Sequence, residues 1–172
     1  MISHERFAAI RAIVLDVDGV LTDGRVGYGA EDFIKFFHYR DGHWLKMARR
    51  AGLIVGCLSG RKSAANRARA AELGFDFCRE DVRDKLAGFE ELLREFGLKA
   101  EECLYVGDDL IDMPVMRRAG IAVTVADGVA ELDEVADWRL SQSGGHGAMV
   151  ELVRRLLIEK GLYETQLERY RR

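Results

Sequence analysis

The sequence predicts an α/β fold, a doubly wound Rossmann-like parallel sheet with a β-hairpin inserted after the first strand. Three observations predict it. Short apolar runs alternate with longer stretches of helical periodicity. Several of the helical stretches stop at glycine. Acidic or hydroxyl residues follow the apolar runs, which is where open α/β sheets bind ligands.

The first strand is "AIVLDV" (12–17). "GRVGYGAEDFIKFFHYR" (24–40) then breaks the alternation. Its glycines and its β-branched and aromatic "DFIKFFHY" predict the hairpin. Phe33, Ile34, Phe36, Phe37 and Tyr39 are too many apolar groups to leave in water, so a partner surface is expected, such as another subunit. "HWLKMARRA" (43–51) predicts a helix and "LIVGCLSG" (53–60) the next buried strand. "SAANRARAAELG" (63–74) and "DVRDKLAGFEELLREFG" (81–97) predict two more helices. "ECLYVGDD" (102–109) and "GIAVTVA" (120–126) are strands, separated by the helical "DMPVMRRAG" (112–120) with Pro114 near its start. "AELDEVADWRLSQ" (130–142) reads as a short helix and an edge strand. A glycine-rich turn and an amphipathic helix follow in "GGHGAMVELVRRLLIEKG" (144–161). The charged tail, about 161–172, is expected to be partly disordered. There is no internal repeat, low-complexity tract or linker, so one domain over 1–172 is expected.

Composition bounds the function. The net charge of −3 gives no general affinity for nucleic acid. Cys57, Cys78 and Cys103 are odd in number and lie in apolar surroundings, which predicts buried reduced thiols. "MISHERFAAIRA" lacks a signal-peptide apolar core, and no run is long enough to span a bilayer. A soluble, cytoplasmic protein is expected.

The chemistry begins at "IVLDVDGVLTDG" (13–24), where a strand ends in Asp16 and Asp18, with Asp23 close behind. Clustered carboxylates repel unless neutralised. A hard divalent cation that works beside phosphate, Mg²⁺, would neutralise them. One Asp16 oxygen would hold the ion while the other attacks phosphorus, giving an aspartyl-phosphate. Asp18 lies on the same side of the strand and is placed to act as acid and then base. By itself "DVD" is equally a solvated strand terminus. In "LSGRK" (58–62), Ser59 and Gly60 precede a helix start, where a hydroxyl and free amides form an anion cradle or an ordinary helix cap. Lys85 alone would read as a solvated helical lysine. "VGDDLIDM" (106–113) adds Asp108, Asp109 and Asp112, of which a helix N-terminus accounts for one or two.

The ordered set "DVDGVLTDG", "LSGR", Lys85 and "GDDLID" resembles the four motifs of the haloacid dehalogenase superfamily over nearly the whole chain. The resemblance implies Asp16 as nucleophile and Mg²⁺ ligand. It implies Asp18 as acid/base, with its backbone carbonyl on the metal, and Asp108 as the third protein ligand. Ser59 and Lys85 would hold the phosphoryl group, with Asp109 and Asp112 in support. The segments between the motifs leave no room for a cap domain. Within the superfamily the chain resembles the capless phosphatases of 3-deoxy-D-manno-octulosonate 8-phosphate, Mg²⁺-dependent homotetramers whose hairpins form a central barrel. "YRDGHWLKMARRAGL", "SGRKS", "GDDLIDMPVMRRAG" and "SGGHGAMVEL" carry that likeness. Arg61 is similar to these enzymes, whereas phosphatases of nine-carbon sugar acids tend to have an acid there. Arg69 matches an arginine of both groups, and a guanidinium suits a sugar-acid carboxylate. The chain departs from the family at Trp44 (usually glycine), Val150 (arginine), His146 (lysine or arginine) and His38 (a small polar residue). These departures are expected at the sugar-binding rim. The resemblance implies an eight-carbon sugar-acid phosphatase serving cell-envelope synthesis. Alternatives are the same chemistry on a nine-carbon ulosonic acid 9-phosphate and a non-catalytic oligomerisation or binding module. A phosphorylatable receiver domain fits less well, because its acceptor lies on a middle strand.

Overall fold

The computed structural model describes residues 2–30 and 32–171. Six parallel strands form one sheet: β1 (Ala12–Leu15), β4 (Ile54–Leu58), β5 (Phe77–Arg79), β6 (Cys103–Gly107), β7 (Ile121–Thr124) and β8 (Trp138–Arg139). Their spatial order is β5-β4-β1-β6-β7-β8. The chain leaves β1 toward β4 and β5, then returns to place β6 on the other side of β1. The reversal makes the carboxyl ends of β1 and β6 a topological switch point, where such sheets open a crevice.

Residues of β1 alternate between two cores, as the strand period of two requires. Ile13 and Leu15 face one layer with α1 (His4–Ala9), α2 (Tyr39–Arg50) and α6 (Ala148–Glu159). Ala12 and Val14 face α4 (Lys85–Phe96) and α5 (Met113–Met116). Helix α6 buries Met149, Leu152, Val153, Leu156 and Leu157, a stripe worth about 1.5–3 kcal/mol per large side chain. Asp41 of α2 locks this helix in place. Its carboxylate accepts from the Gly147 and Val150 amides at 3.1 Å each, capping the start of α6. Burial raises the Asp41 pKa even so.

Several boundaries differ from the sequence reading. The hairpin pairs only β2 (Gly27–Tyr28) with β3 (Phe33–Ile34), antiparallel. Helix α2 starts at Tyr39, four residues before the expected His43, because the aromatic run conceals its first turn. Helix α3 (Ala64–Leu73) runs from an N-cap at Ser63 to a left-handed Gly74, as the sequence predicts. The tail is not disordered over the described residues. It forms α7 (Tyr163–Glu168), with Tyr163 stacked on Trp44 at 6.3 Å and the Tyr170 hydroxyl accepting from Arg50 at 2.6 Å. Trp44 is therefore a packing platform for the tail, with Arg154 on its other contacts at 4.9 Å from the ring. All three cysteines are free thiols, and no helix among the described residues is long and apolar enough to cross a membrane.

Candidate active site

The loop after β1 carries the first two aspartates and is stitched shut from within. The Val17 carbonyl accepts from the Val20, Leu21 and Thr22 amides. The buried Thr22 hydroxyl accepts from Gly19 N at 3.2 Å and Gly24 N at 3.3 Å. Gly19 takes φ +84°, and a side chain there would strike the Asp108 carboxylate. Asp23, the third acid of the segment, turns outward, accepts from Arg25 N and pairs with its guanidinium at 3.5 Å.

Asp16 is buried at the mouth of β1, where Oδ1 accepts from Val17 N at 2.7 Å. Lys85 is the first residue of α4, on the same helical face as Phe89, Leu92 and Leu93, so the packing that buries α4 carries the ammonium inward. Its Nζ lies 2.8 Å from Asp16 Oδ2 and 2.7 Å from Asp112 Oδ1. Asp112 is the hub beneath the site. Besides Lys85, its Oδ1 accepts from the Tyr105 hydroxyl at 2.6 Å. Its Oδ2 accepts from the amides of Asp108 at 3.0 Å and Asp109 at 3.2 Å. Gly107 makes this fit possible, since a Cβ there would fall 2.4 Å from Asp112 Cβ.

A cleft of about 250 Å³ opens above this base. Asp16, Asp18, Ser59, Gly60, Arg61, Asp108 and Asp109 line it, with Val26 of the hairpin and Ile111. Ser59 Oγ accepts from Arg61 N at 3.2 Å, which shapes the turn. The α3 amides do not form the expected anion cradle: Ser63, Ala64 and Ala65 donate to Glu80, Asp32 and Ser63 respectively. Ser59, Gly60 and Arg61 are the residues of this segment that line the cleft. Arg69 does not reach the cleft either. It lies between α3 and α2, bonded to Glu72 at 2.8 Å and to the His38 carbonyl at 3.1 Å. Nor do the four departures from the family gather at this cleft. His38, His146 and Val150 line a separate cavity with Arg40 and Arg154.

The charges in the cleft are unbalanced. Burial outweighs the attraction of Lys85 and, with the nearby Asp112 charge, leaves the Asp16 pKa raised to about 6. Burial and the charges of Asp16 and Asp112 push Asp108 up to about 8. Burial opposes the charge on Lys85, but the two carboxylates prevail and raise its pKa. Oxygens of Asp16, Asp108 and Asp112 lie within 4.8 Å of one another. Those of Asp112 are already committed to four donors, so Asp16 and Asp108 are the carboxylates left for a cation. Hard oxygen donors held in mutual repulsion fit a divalent ion such as Mg²⁺. The Asp18 carboxylate stands outside this group. Its Oδ1 is 2.7 Å from Lys35 Nζ and its Oδ2 is 3.8 Å from Arg61 Nε.

A buried carboxylate paired to a buried ammonium, with a second acid beside it at the β1/β6 switch point, is the arrangement of a hydrolase of the haloacid dehalogenase type. Residues 40–120 match the haloacid dehalogenase-like hydrolase family. The chain is 39% identical over 153 residues to the 3-deoxy-D-manno-octulosonate 8-phosphate phosphatase KdsC of Escherichia coli strain K12, covering 88% of this chain and 81% of the relative. The crystal structure of the Moraxella catarrhalis 3-deoxy-D-manno-octulosonate 8-phosphate phosphatase, in complex with magnesium ion, phosphate ion and KDO, superposes with a TM-score of 0.93. It is 30% identical, with 97% of each chain covered. A probable yrbi family phosphatase of Pseudomonas syringae pv. phaseolica gives a TM-score of 0.94 at 37% identity, covering 98% of this chain and 97% of that one. The chain belongs to the haloacid dehalogenase superfamily, in the subfamily of these octulosonate phosphatases, and no cap domain occurs among the described residues.

Proposed function

We propose that the chain is a Mg²⁺-dependent phosphatase that hydrolyses 3-deoxy-D-manno-octulosonate 8-phosphate to the free sugar acid and phosphate. Supporting it above all is one meeting of residues: Asp16, paired to Lys85 at 2.8 Å, faces Asp108 across a cleft in a chain 39% identical to such a phosphatase.

Asp16 attacks phosphorus, and an Asp16–phosphorus bond forms as the bond to the sugar oxygen breaks. The leaving oxygen takes the electron pair and a proton from Asp18. Asp18 then takes a proton from the water that attacks the acyl phosphate, releasing phosphate and restoring Asp16. Lys85 balances charge at Asp16 from below, while Ser59 and Gly60 hold phosphoryl oxygens. When bound by Asp16, the Asp18 carbonyl and Asp108, Mg²⁺ supplies positive charge against the phosphoryl oxygens. Asp109 at the rim and Asp112 below support that arrangement.

Arg61 on the cleft wall favours the eight-carbon substrate over a nine-carbon one. The intact set Asp16, Asp18, Ser59, Lys85 and Asp108 favours an enzyme over a binding module. With no cap domain among the described residues, a bound sugar needs a second surface to shield it from water. Tyr28, Phe36 and Tyr39 are about four-fifths exposed and Ile34 half exposed. We infer that this apolar face of the hairpin joins subunits into a homotetramer in the cytoplasm.

Phosphate release from a panel of sugar phosphates, with Mg²⁺ or with chelator, tests the reading. The expected result is the highest kcat/KM on the eight-carbon ester, lost on chelation. Preference for the nine-carbon ester by orders of magnitude would refute the substrate. No metal-dependent turnover of any ester would refute the enzyme.

A further inference from the structure

The hairpin carries one charged side chain that it cannot leave in water. The Lys35 side chain is only 1% exposed, although its aromatic neighbour Phe36 is open to solvent. A buried ammonium is costly unless paired. Among the described residues the carboxylate beside it is Asp18, at 2.7 Å from Nζ to Oδ1. The contact is close but not aligned as a hydrogen bond, so neither atom has a hydrogen-bond partner. It is a charge contact that fixes direction and leaves the N–H groups of Lys35 unspent.

The rest of the hairpin is built to deliver this residue. The Asp32 carboxylate accepts from the Ala64 amide at the start of α3 and, through its other oxygen, from Phe33 N at 2.7 Å. The Phe33 ring lies 5.8 Å from the guanidinium carbon of Arg61. The hairpin is thus clipped to the turn that follows Ser59, and Lys35 comes next in the chain after the paired strand. Arg61 approaches the second oxygen of Asp18, with Nε at 3.8 Å. Two cations from separate segments hold one carboxylate, which otherwise sits on a short loop.

We propose that Lys35 is a positioning residue for Asp18, aiming the carboxylate at the leaving oxygen of the substrate, so that the hairpin takes part in the chemistry as well as in assembly. The proposal rests on the reading of Asp18 as acid/base.

The test is a double-mutant cycle in the full-length chain with Mg²⁺, using Lys35→Met, Lys35→Arg, Asp18→Asn and the double variant. kcat/KM is measured on octulosonate 8-phosphate and on p-nitrophenyl phosphate. A sugar alkoxide needs a proton to leave and p-nitrophenolate does not. kcat/KM reports the step in which the leaving group departs, before water attacks. General-acid assistance is worth about 10²–10⁴-fold. Lys35→Met is therefore expected to lower kcat/KM on the sugar phosphate by about 10²-fold and to change it little on p-nitrophenyl phosphate. Lys35→Arg should recover part of the loss. In the Asp18→Asn background, Lys35→Met should have no further effect on the sugar phosphate. Equal losses on both substrates, no loss on either, or full additivity with Asp18→Asn would each overturn the proposal. Should Asp18→Asn itself lower both substrates equally, the acid role of Asp18 fails, and the positioning role of Lys35 fails with it.

Discussion

Lys85 Nζ lies 2.8 Å from Asp16 Oδ2, with both side chains almost wholly shielded from water. The pair serves stability and chemistry together. Removing the ammonium leaves Asp16 and Asp112 buried and uncompensated. Lys85→Met is expected to destabilise the metal-free protein by about 3–5 kcal/mol. Urea unfolding measures it, and a loss below about 1 kcal/mol would mean the acids take up protons at no cost.

Asp16→Asn keeps the shape of the side chain and removes the attacking charge. Turnover should fall by at least ~10⁴-fold. Far-UV circular dichroism should be unchanged, because the neighbouring strand contacts do not depend on that charge. Activity near that of the parent in a pure preparation would exclude Asp16 as nucleophile.

The pH dependence of stability follows from the same cluster. Asp16 and Asp108 titrate at about 6 and about 8 in the folded, metal-free chain, above an ordinary carboxylate, with burial the largest cause of each shift. The folded state therefore binds more protons than the unfolded state between about pH 4 and 8, and stability falls as pH rises through that window. Melting temperatures in chelator should decline from pH 5 to pH 8.5, and excess Mg²⁺ should reverse most of the decline. A flat profile would place the two acids in contact with bulk water.

Asp41 tests how the layer behind the site is held. Asp41→Ala leaves the Gly147 and Val150 amides without acceptors and should cost about 1–3 kcal/mol. Thermal unfolding checks it, and Asp41→Asn should recover part of the loss by returning one oxygen acceptor.

The proposed assembly depends on exposed aromatics. A Tyr28→Glu, Phe36→Glu double variant should run as a monomer by light scattering at micromolar concentration while the parent runs as a tetramer. A monomeric parent would leave the cleft without its covering surface.

Most of the sheet was legible because β1, β4, β6 and β7 are uninterrupted apolar runs, and nothing but a buried parallel strand accommodates them. The phosphoryl-centre acids stood out as charges that follow such runs. What stayed hidden depends on contacts between distant segments. Asp112 looked like one acid of three, and only folding brings Lys85, Tyr105 and two amides to it. Arg69 has the chemistry of a carboxylate ligand, yet α2 engages it first. Asp41 acts through backbone amides more than 100 residues away, which leaves no spacing to read. Lys35 did leave a signal, a lone cation inside the aromatic run "DFIKFFHY".

Trapping the reaction on the protein tests the central claim most directly. Acid-quenched turnover of octulosonate 8-phosphate with Mg²⁺, followed by peptide mass spectrometry, should find a phosphoryl group on the peptide holding Asp16, absent in Asp16→Asn. Rapid turnover with the phosphoryl group on another residue, or on none at any quench time, would contradict it.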